Sequence, residues 1–226
     1  MRRASQQFSH EQRKAVEQAV AGAERKASVE IVPVVATASG RYDRPEDMVG
    51  LGLGLIALVA AWWLLPLEPA ESGSWGGMPQ WERLLIMVVA AVAGFVMGAA
   101  AARHVGWLRL LFTPRRQMRD EVAERARAVF FDSRVHHTTG NTGLLVYVSL
   151  YERMAAILAD ESIMDKLGQN GLDELCAALS GKLRNLHPAD AICQTIAAAG
   201  EKLAPLLPRG ENDVNQISDA LVILDR

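Results

Sequence analysis

The residues best suited to chemistry in this sequence are acids that follow apolar, strand-like stretches. One group consists of Asp160, Glu161 and Asp165. A second group of the same kind consists of Asp43, Glu46 and Asp47. Loops after strands commonly carry the sites of α/β domains, and carboxylate oxygens are the ligands that Ca²⁺ and Mg²⁺ prefer. Asp160, Glu161 and Asp165 therefore form a candidate site for one of these ions.

A structural role is the simpler alternative for the same acids. Asp160 would cap a helix that starts near Ser162, because an aspartate side chain accepts hydrogen bonds from the first backbone N–H groups of a helix. The acids at positions 43 to 47 would be hydrated carboxylates near a membrane surface. At this point both alternatives stay open.

The cysteines and neighbouring histidines indicate no reactive site. Cys176 and Cys193 do not begin a CxxC motif, and neither is followed six positions later by the arginine of a cysteine-phosphatase loop. We expect both to be buried, reduced thiols. His136 and His137 are adjacent, so their side chains diverge, and we expect a polar loop there. The sequence has no HExxH, Walker or GxSxG motif, and it therefore names no catalytic residue.

Composition sets wide limits on the class of protein. The chain has 226 residues, of which 50% are hydrophobic and 22% charged, and its formal net charge is -2. These values are typical of a globular protein with one or two domains. They exclude a disordered chain, a disulfide-rich miniprotein and a basic protein that binds nucleic acid.

Two uncharged runs predict a transmembrane helical hairpin at residues 48–102. The runs are residues 48–67 and 84–102, with an outer loop at 68–83. A helix rises about 1.5 Å per residue, so each run is long enough for the roughly 30 Å of a bilayer core. Trp62, Trp63 and Trp81 lie near the ends, as interfacial aromatic residues do. The alternative is a buried hairpin in a large soluble core.

Arginines beside the two runs predict the orientation. Arg41 and Arg44 precede the first run, and a larger group follows the second: Arg103, Arg109, Arg115, Arg116 and Arg119. The positive-inside rule then places both termini in the cytoplasm and the loop around Trp75 outside. The basic start lacks the apolar stretch of a secretory signal, so we expect no cleaved signal peptide. We read residues 105–112 as a short interfacial segment.

Glycines in the two runs predict close helix packing. Gly50 and Gly54 form one GxxxG motif, and Gly94 and Gly98 form another. Small residues at this spacing let two helix backbones approach closely. The motifs therefore suit packing within the hairpin or, alternatively, a homodimer through the same face.

The polar remainder predicts a single α/β domain that the hairpin interrupts. A capped helix is expected at residues 10–26, and strands are expected at residues 29–36, 144–150 and 154–159. Pro33 places the first strand at an edge or at a bulge, because proline has no N–H to donate. The two later strands form an antiparallel hairpin. Since two spans return the chain to one side, the domain comprises residues 1–47 and 103–226.

Three amphipathic helices complete the predicted three-layer α/β/α sandwich. The first follows Pro114 and places four apolar residues on one face: Met118, Val122, Ala126 and Val129. The second has a leucine stripe that ends at His187, and Pro188 opens the third. The third has an inner stripe of Ile192, Ile196, Ala199 and Leu203. An ion pair between Glu30 and Arg153 is also an expectation.

The stretch from Thr139 to Ile163 resembles the TPM domain family. Its shared features are TG at Thr142 and Gly143, YVSL at residues 147–150, ER at residues 152–153, and AD at residues 159–160. SVEIVPVVA at residues 28–36 and NDVNQISDALV at residues 212–222 are also similar to the family. With its inserted spans, the chain resembles the bacterial membrane-protein branch, although Ser162 replaces the usual glycine.

This resemblance implies an α/β/α sandwich and two candidate functions. Relatives have been linked to photosystem II repair, to modulation of a receptor channel and, contestedly, to acid phosphatase activity with a divalent ion. Asp160 fits the family's AD position, and we read Glu152 and Arg153 as turn and packing residues. The first hypothesis is a non-enzymatic accessory protein in the bacterial inner membrane with a membrane-protein partner. The alternative is a divalent-metal-assisted phosphomonoesterase that uses Asp160.

Overall fold

The computed structural model describes residues 3–40, 44–65, 79–104, 114–138, 140–210 and 217–225. The chain divides into two compact units: residues 1–40 with 116–226, and residues 41–115. The first unit combines helices with a mixed β-sheet, and the described part of the second is a pair of helices. The α/β class expected from the sequence is confirmed.

The secondary structure follows the expected order. The strands are β1 (Glu30–Ala36), β2 (Gly143–Ser149), β3 (Met154–Ala159) and β4 (Val222–Leu224). In the α/β unit the helices are α1 (Ala4–Gln7), α2 (His10–Glu24), α5 (Arg115–Asp132), α6 (Glu161–Lys182) and α7 (Pro188–Leu203). A 3₁₀ turn spans Val135–His137, and the helical unit contains α3 (Arg44–Leu64) and α4 (Gln80–His104).

The sheet has the strand order β3-β2-β1-β4. β1 is parallel to β2, with Glu30 opposite Gly143 and Ala36 opposite Ser149. β4 is also parallel to β1, and β3 is antiparallel to β2. The early strand therefore pairs with strands that come after the helical hairpin in the chain.

The predicted edge position of β1 is wrong, because β1 lies between β2 and β4. Alternate N–H groups of β1 point to opposite neighbours: Glu30 donates to Thr142 on the β2 side, and Thr37 donates to Leu224 on the β4 side. Pro33 lies four residues before Thr37, so its nitrogen points to the same side of β1 as the N–H of Thr37, away from β2. β4 pairs only with Val34–Ala36 and thus begins just beyond Pro33. The proline therefore costs the sheet no hydrogen bond.

Helices cover both faces of the sheet. One face packs against α2, α6 and α7 and contributes Ile31, Val35, Leu144, Val146 and Val148 to the core. The other face packs against α5, and its central side chains are Val32, Val34, Leu145 and Tyr147. This arrangement is the three-layer sandwich that the amphipathic helices predict.

Local sequence explains where the helices begin and which faces they bury. Ser9 caps α2 and forms a reciprocal capping box with Gln12. Pro188 occupies the first turn of α7, where no N–H is required, and His187 accepts the N–H of Ala189. The apolar stripes predicted for α5 and α7 are buried: Met118, Val122, Ala126 and Val129 on α5, and Ile192, Ile196, Ala199 and Leu203 on α7.

The helical unit is a closely packed pair. A Cβ added to Gly50 would lie 2.9 Å from the carbonyl oxygen of Phe95, and one added to Gly98 would lie 2.8 Å from the Cα of Gly50. Gly54 and Gly94 face the other helix in the same way. All four glycines therefore lie where α3 meets α4, and a homodimer, which stays a prediction, would need another face.

The helices of this unit are long and apolar enough to cross a membrane, over Glu46–Leu64 and Gln80–Ala102. α4 begins earlier than expected, so Trp81 and Arg83 belong to it rather than to the loop. Residues 66–78, with Trp75, and residues 105–112 lie outside the described part of the chain, as do Arg41, Asp43 and Arg109.

The expected ion pair between Glu30 and Arg153 is not formed. Glu30 lies opposite Gly143 at the start of β2, and Arg153 follows the end of that strand. Seven residues at about 3.3 Å each separate the two ends by roughly 20 Å. Glu30 instead accepts the N–H of Ile217 at 3.2 Å.

Substituting Gly50 with valine should destabilise the hairpin by about 1–3 kcal/mol, because the new side chain meets backbone of α4. Gly52→Val is the matched control, since nothing lies within 4 Å of a Cβ at Gly52 on the same helix. Thermal unfolding of the full chain in detergent, followed by circular dichroism, measures the difference. Equal melting temperatures for the two variants would contradict the close packing.

Candidate functional site

Asp160 occupies the N-cap position of α6. Its Oδ1 accepts the N–H of Glu161 at 2.9 Å, and its own N–H donates to the carbonyl of Gly143 at 2.9 Å. Ser162 donates its hydroxyl to the carbonyl of Gly140 at 2.7 Å. Asp160 and Ser162 thus tie the end of β3 and the start of α6 to the first residue of β2 and to the loop before it.

The acids predicted as metal ligands do not converge within the described structure. Glu161 and Asp165 are exposed on α6. Glu46 and Asp47 belong to the first turn of α3, in the helical unit. Among the described residues, no three or more His, Cys, Asp or Glu side chains are placed to hold a metal ion. The Ca²⁺ or Mg²⁺ site therefore stays a prediction from sequence.

The cysteines and His136 have packing roles. Cys176 and Cys193 are free and partly buried, and burial raises the pKa of each thiol, so the unreactive protonated form is favoured. The Cys176 thiol donates to the carbonyl of Ala155 on β3. His136 packs against the rings of Phe130 and Phe131. The side chain of His137 lies outside the described residues.

A buried carboxylate that sequence reasoning assigned only to a turn lies at the carboxyl ends of β1 and β2. Glu152 is 6% exposed and belongs to the turn between β2 and β3. Its Oε1 accepts the N–H groups of Ser39 at 2.8 Å and Gly40 at 3.3 Å. Its Oε2 accepts the hydroxyl of Ser149. One carboxylate thus holds three donors, two from the segment that follows β1 and one from β2.

Tyr147 extends this network into the core. The side chain is fully buried on β2, and its hydroxyl lies 2.9 Å from Oγ of Ser39. Burial raises the pKa of Tyr147, the hydrogen bond to Ser39 and the charge of Arg125 on α5 lower it, and the Glu152 carboxylate raises it. The net shift is upward, so the phenol stays neutral and serves as a hydrogen-bonding group.

These residues fix the point at which the chain leaves the sheet. Ser39 and Gly40 are the last residues of the α/β unit before the helical unit begins at Arg41. We call Ser39, Gly40, Tyr147, Ser149 and Glu152 the exit clamp. Its polar atoms bind one another and the backbone, so its chemistry is to hold a main-chain segment. In the sequence the only sign of the clamp is Glu152, a charged residue just after an apolar strand. Ordinary turns have the same pattern, so the sequence does not distinguish the two.

The comparisons with known proteins support the fold and do not name an activity. The NMR structure of BA42, a protein from the psychrophilic bacterium Bizionia argentinensis, matches 95% of this chain and 94% of BA42, with a TM-score of 0.54 and 15% identity. BA42 has a TPM-domain-type fold. No protein-family model matches the chain, and no curated protein sequence matches it. This likeness establishes a shared architecture only.

Replacing Asp160 with alanine should lower the free energy of unfolding by about 1 kcal/mol, because the first turn of α6 loses its cap. Asp160→Asn keeps an oxygen that accepts the N–H of Glu161 and should cost less. Urea unfolding with and without millimolar Ca²⁺ or Mg²⁺ measures both effects. If either ion stabilised the parent and not Asp160→Asn, a metal-ligand role would replace the capping role.

Replacing Glu152 with alanine should cost about 3 kcal/mol of stability, since three buried or half-buried donors lose their acceptor. Glu152→Gln retains an oxygen for the two backbone N–H groups and is the matched control. Urea unfolding of the detergent-solubilised full chain, read by proteolysis, gives the stability. Amide exchange of Ser39 and Gly40 should accelerate in the alanine variant. Unchanged exchange at both amides would rule out the clamp.

Proposed function

We propose that this protein is a TPM-type domain anchored in the bacterial inner membrane, where it acts as a non-enzymatic accessory factor for a membrane complex. The observation that carries the proposal is the apolar exposure of α3 and α4. Ile56 is 65% exposed, Trp63 83% and Met97 64%. Apolar surface in water costs about 25 cal/mol per Å². Surfaces of this kind on two span-length helices therefore favour a lipid environment.

Aromatic and cationic side chains at the loop end of the hairpin support the same placement. The guanidinium of Arg83 lies 4.5 Å from the centre of the Trp62 ring, a cation–π arrangement. Trp81 is exposed in the first turn of α4. Tryptophan and arginine concentrate where hydrocarbon meets headgroups. We infer that this end of the hairpin lies at the outer interface.

The sheet supports a topology with both termini in the cytoplasm. β1 precedes the hairpin and pairs with β2, which follows it, so the two ends of the hairpin must reach the same compartment. An even number of crossings meets this condition. The arginines beside the spans then favour the cytoplasm for the α/β unit.

The exit clamp supports an accessory role. Parallel α/β domains commonly place their reactive groups at the carboxyl ends of the strands. In this chain the side chains at that place hold the backbone of Ser39 and Gly40, which leads to the hairpin. A domain whose strand ends hold main chain rather than a reactive group suits a partner-binding role more than a catalytic one. The phosphomonoesterase alternative draws no support from the described residues, among which no acidic cluster is placed to hold a metal ion and Oδ1 of Asp160 caps a helix.

A charge in the middle of α4 should impair membrane insertion. Val92→Arg places a cation at an exposed apolar position, which costs about 2.5–3.5 kcal/mol for insertion. Phe131→Arg is the matched control, because Phe131 lies on α5 in the α/β unit and is 61% exposed, against 57% for Val92. Membrane fractions washed at alkaline pH should retain the parent and Phe131→Arg, and they should lose part of Val92→Arg.

The same variants test the accessory role. Affinity purification of the tagged full chain in mild detergent should recover a defined membrane complex with the parent, and less of it with Val92→Arg. Equal membrane retention of Val92→Arg and Phe131→Arg would contradict the proposal that the hairpin anchors the protein in the membrane. If an unrelated two-span control protein recovered the same proteins, the accessory role would be contradicted. The proposed membrane anchor would not be affected by that result.

A further inference from the structure

Strand β3 is the outermost strand on its side of the sheet, because the strand order is β3-β2-β1-β4. Just beyond β3, the N–H of Asp160 donates to the carbonyl of Gly143 on β2. In an antiparallel pair every second residue bonds to the neighbouring strand. The residues of β3 that bond to β2 are therefore Leu158, Ala156 and Met154. Those between them direct their N–H and C=O groups away from β2: Ala155, Ile157 and Ala159.

A cysteine of α6 contacts this outer side of β3. The thiol of Cys176 donates to the carbonyl of Ala155 at 3.3 Å. Burial raises the pKa of Cys176, and a hydrogen bond from the backbone of Ile157 lowers it, so the same sulfur also lies beside that N–H. Sulfur is a weak donor and a weak acceptor. Within the described part of the chain no strand pairs with the outer side of β3, so its backbone groups are open to stronger partners.

The sequence of β3 lacks the features that normally prevent pairing at the edge of a sheet. Proteins usually protect an edge with lysine, proline, a bulge or a covering element. The six residues of β3 read MAAILA and include neither a charged residue nor a proline. Their register with β2 runs from Met154 to Ala159 without a bulge. The outer side of β3 is therefore suited to accept a further strand.

Charges of opposite sign at the two ends of β3 indicate which strand it accepts. Arg153 precedes the strand and Glu161 follows it, and both side chains are exposed. Each lies four positions from Ile157, which is the midpoint between them. A second copy of β3 that lies antiparallel about this midpoint brings Arg153 to the partner's Glu161 at both ends. A parallel copy would bring like charges together, which is unfavourable.

We propose that two copies of this chain associate edge to edge through antiparallel β3 strands, about a two-fold axis at Ile157. The two four-stranded sheets then form one continuous sheet of eight strands. Ile157 exchanges two hydrogen bonds with the partner's Ile157, and Ala155 exchanges two with the partner's Ala159. The contact uses the same surface on both copies, so it closes as a dimer. It does not depend on the proposed membrane location.

The contact of Cys176 with the edge is compatible with this pairing. A backbone carbonyl has two lone pairs, so the carbonyl of Ala155 can accept both the thiol and an N–H of the partner. The N–H of Ile157 leaves the sulfur for a carbonyl of the partner, which is the stronger acceptor. The dimer thus replaces a weak side-chain contact at the edge with backbone hydrogen bonds.

Light scattering of the full chain in detergent, over a dilution series, tests the dimer. The parent should show a dimer that dissociates on dilution. Ala155→Pro should weaken it about tenfold or more, because each copy loses an outward N–H and gains a ring between the strands, while no bond to β2 is lost. Ala155→Ser keeps the N–H, so it is the matched control and should dimerise as the parent does. Circular dichroism melting shows whether each variant is folded.

A charge exchange tests the same pairing without a change in the backbone, and it decides the matter if Ala155→Pro does not fold. Arg153→Glu and Glu161→Arg, each alone, bring like charges together at both ends and should weaken the dimer several-fold. The double variant restores opposite charges and should recover the parental dimer. A parent that is monomeric at every concentration would overturn the proposal. So would a dimer that these variants leave intact, because it would use another face, and so would a double variant that recovers nothing.

Discussion

Parallel pairing of β1 with β2 is the interaction on which the rest of the molecule depends. It joins parts of the chain that are distant in sequence, as Ser39 and Glu152 show at 113 positions apart. Buried backbone groups of β1 need these partners, because an unpaired N–H or C=O in a core is costly. Everything between the strands must therefore leave the sheet and return to the same side. A helical hairpin meets that condition, and a single spanning helix would not.

Carboxylates complete the pairing where strands are missing. The N–H of Ile31 points to the side of β1 that β4 has not yet reached, and Glu24 accepts it. Glu152 does the same for the backbone after β1, and Asp225 does so for the N-terminal helix. Several acids of the α/β unit thus act as acceptors for backbone groups. Asp160, one of the acids that the sequence places in a candidate metal site, has the same role at the start of α6.

Prediction from sequence succeeded where the signal was local and periodic. The stripes of α5 and α7 and the apolar runs of β2 and β3 mark elements that bury one face or both, and their positions follow from side-chain spacing. β4 and α1 were missed, because elements of three and four residues have no periodicity. The predicted edge position of β1 was also wrong. Proline lacks an N–H and so cannot donate a hydrogen bond on one side of the strand, and only the register shows which neighbouring strand lies on that side.

By itself the sequence determined the α/β class, the two span-length apolar helices, and the glycines that allow those helices to approach. These follow from composition and from contacts between near neighbours in the chain. The tertiary structure decided the strand order, the burial of Glu152 beside Ser39 and Gly40, and the position of Glu24, whose side chain accepts the N–H of Ile31. Each of these depends on which distant segments share one sheet. Side-chain spacing within a segment carries no information about that choice, because backbone pairing is nearly independent of residue type.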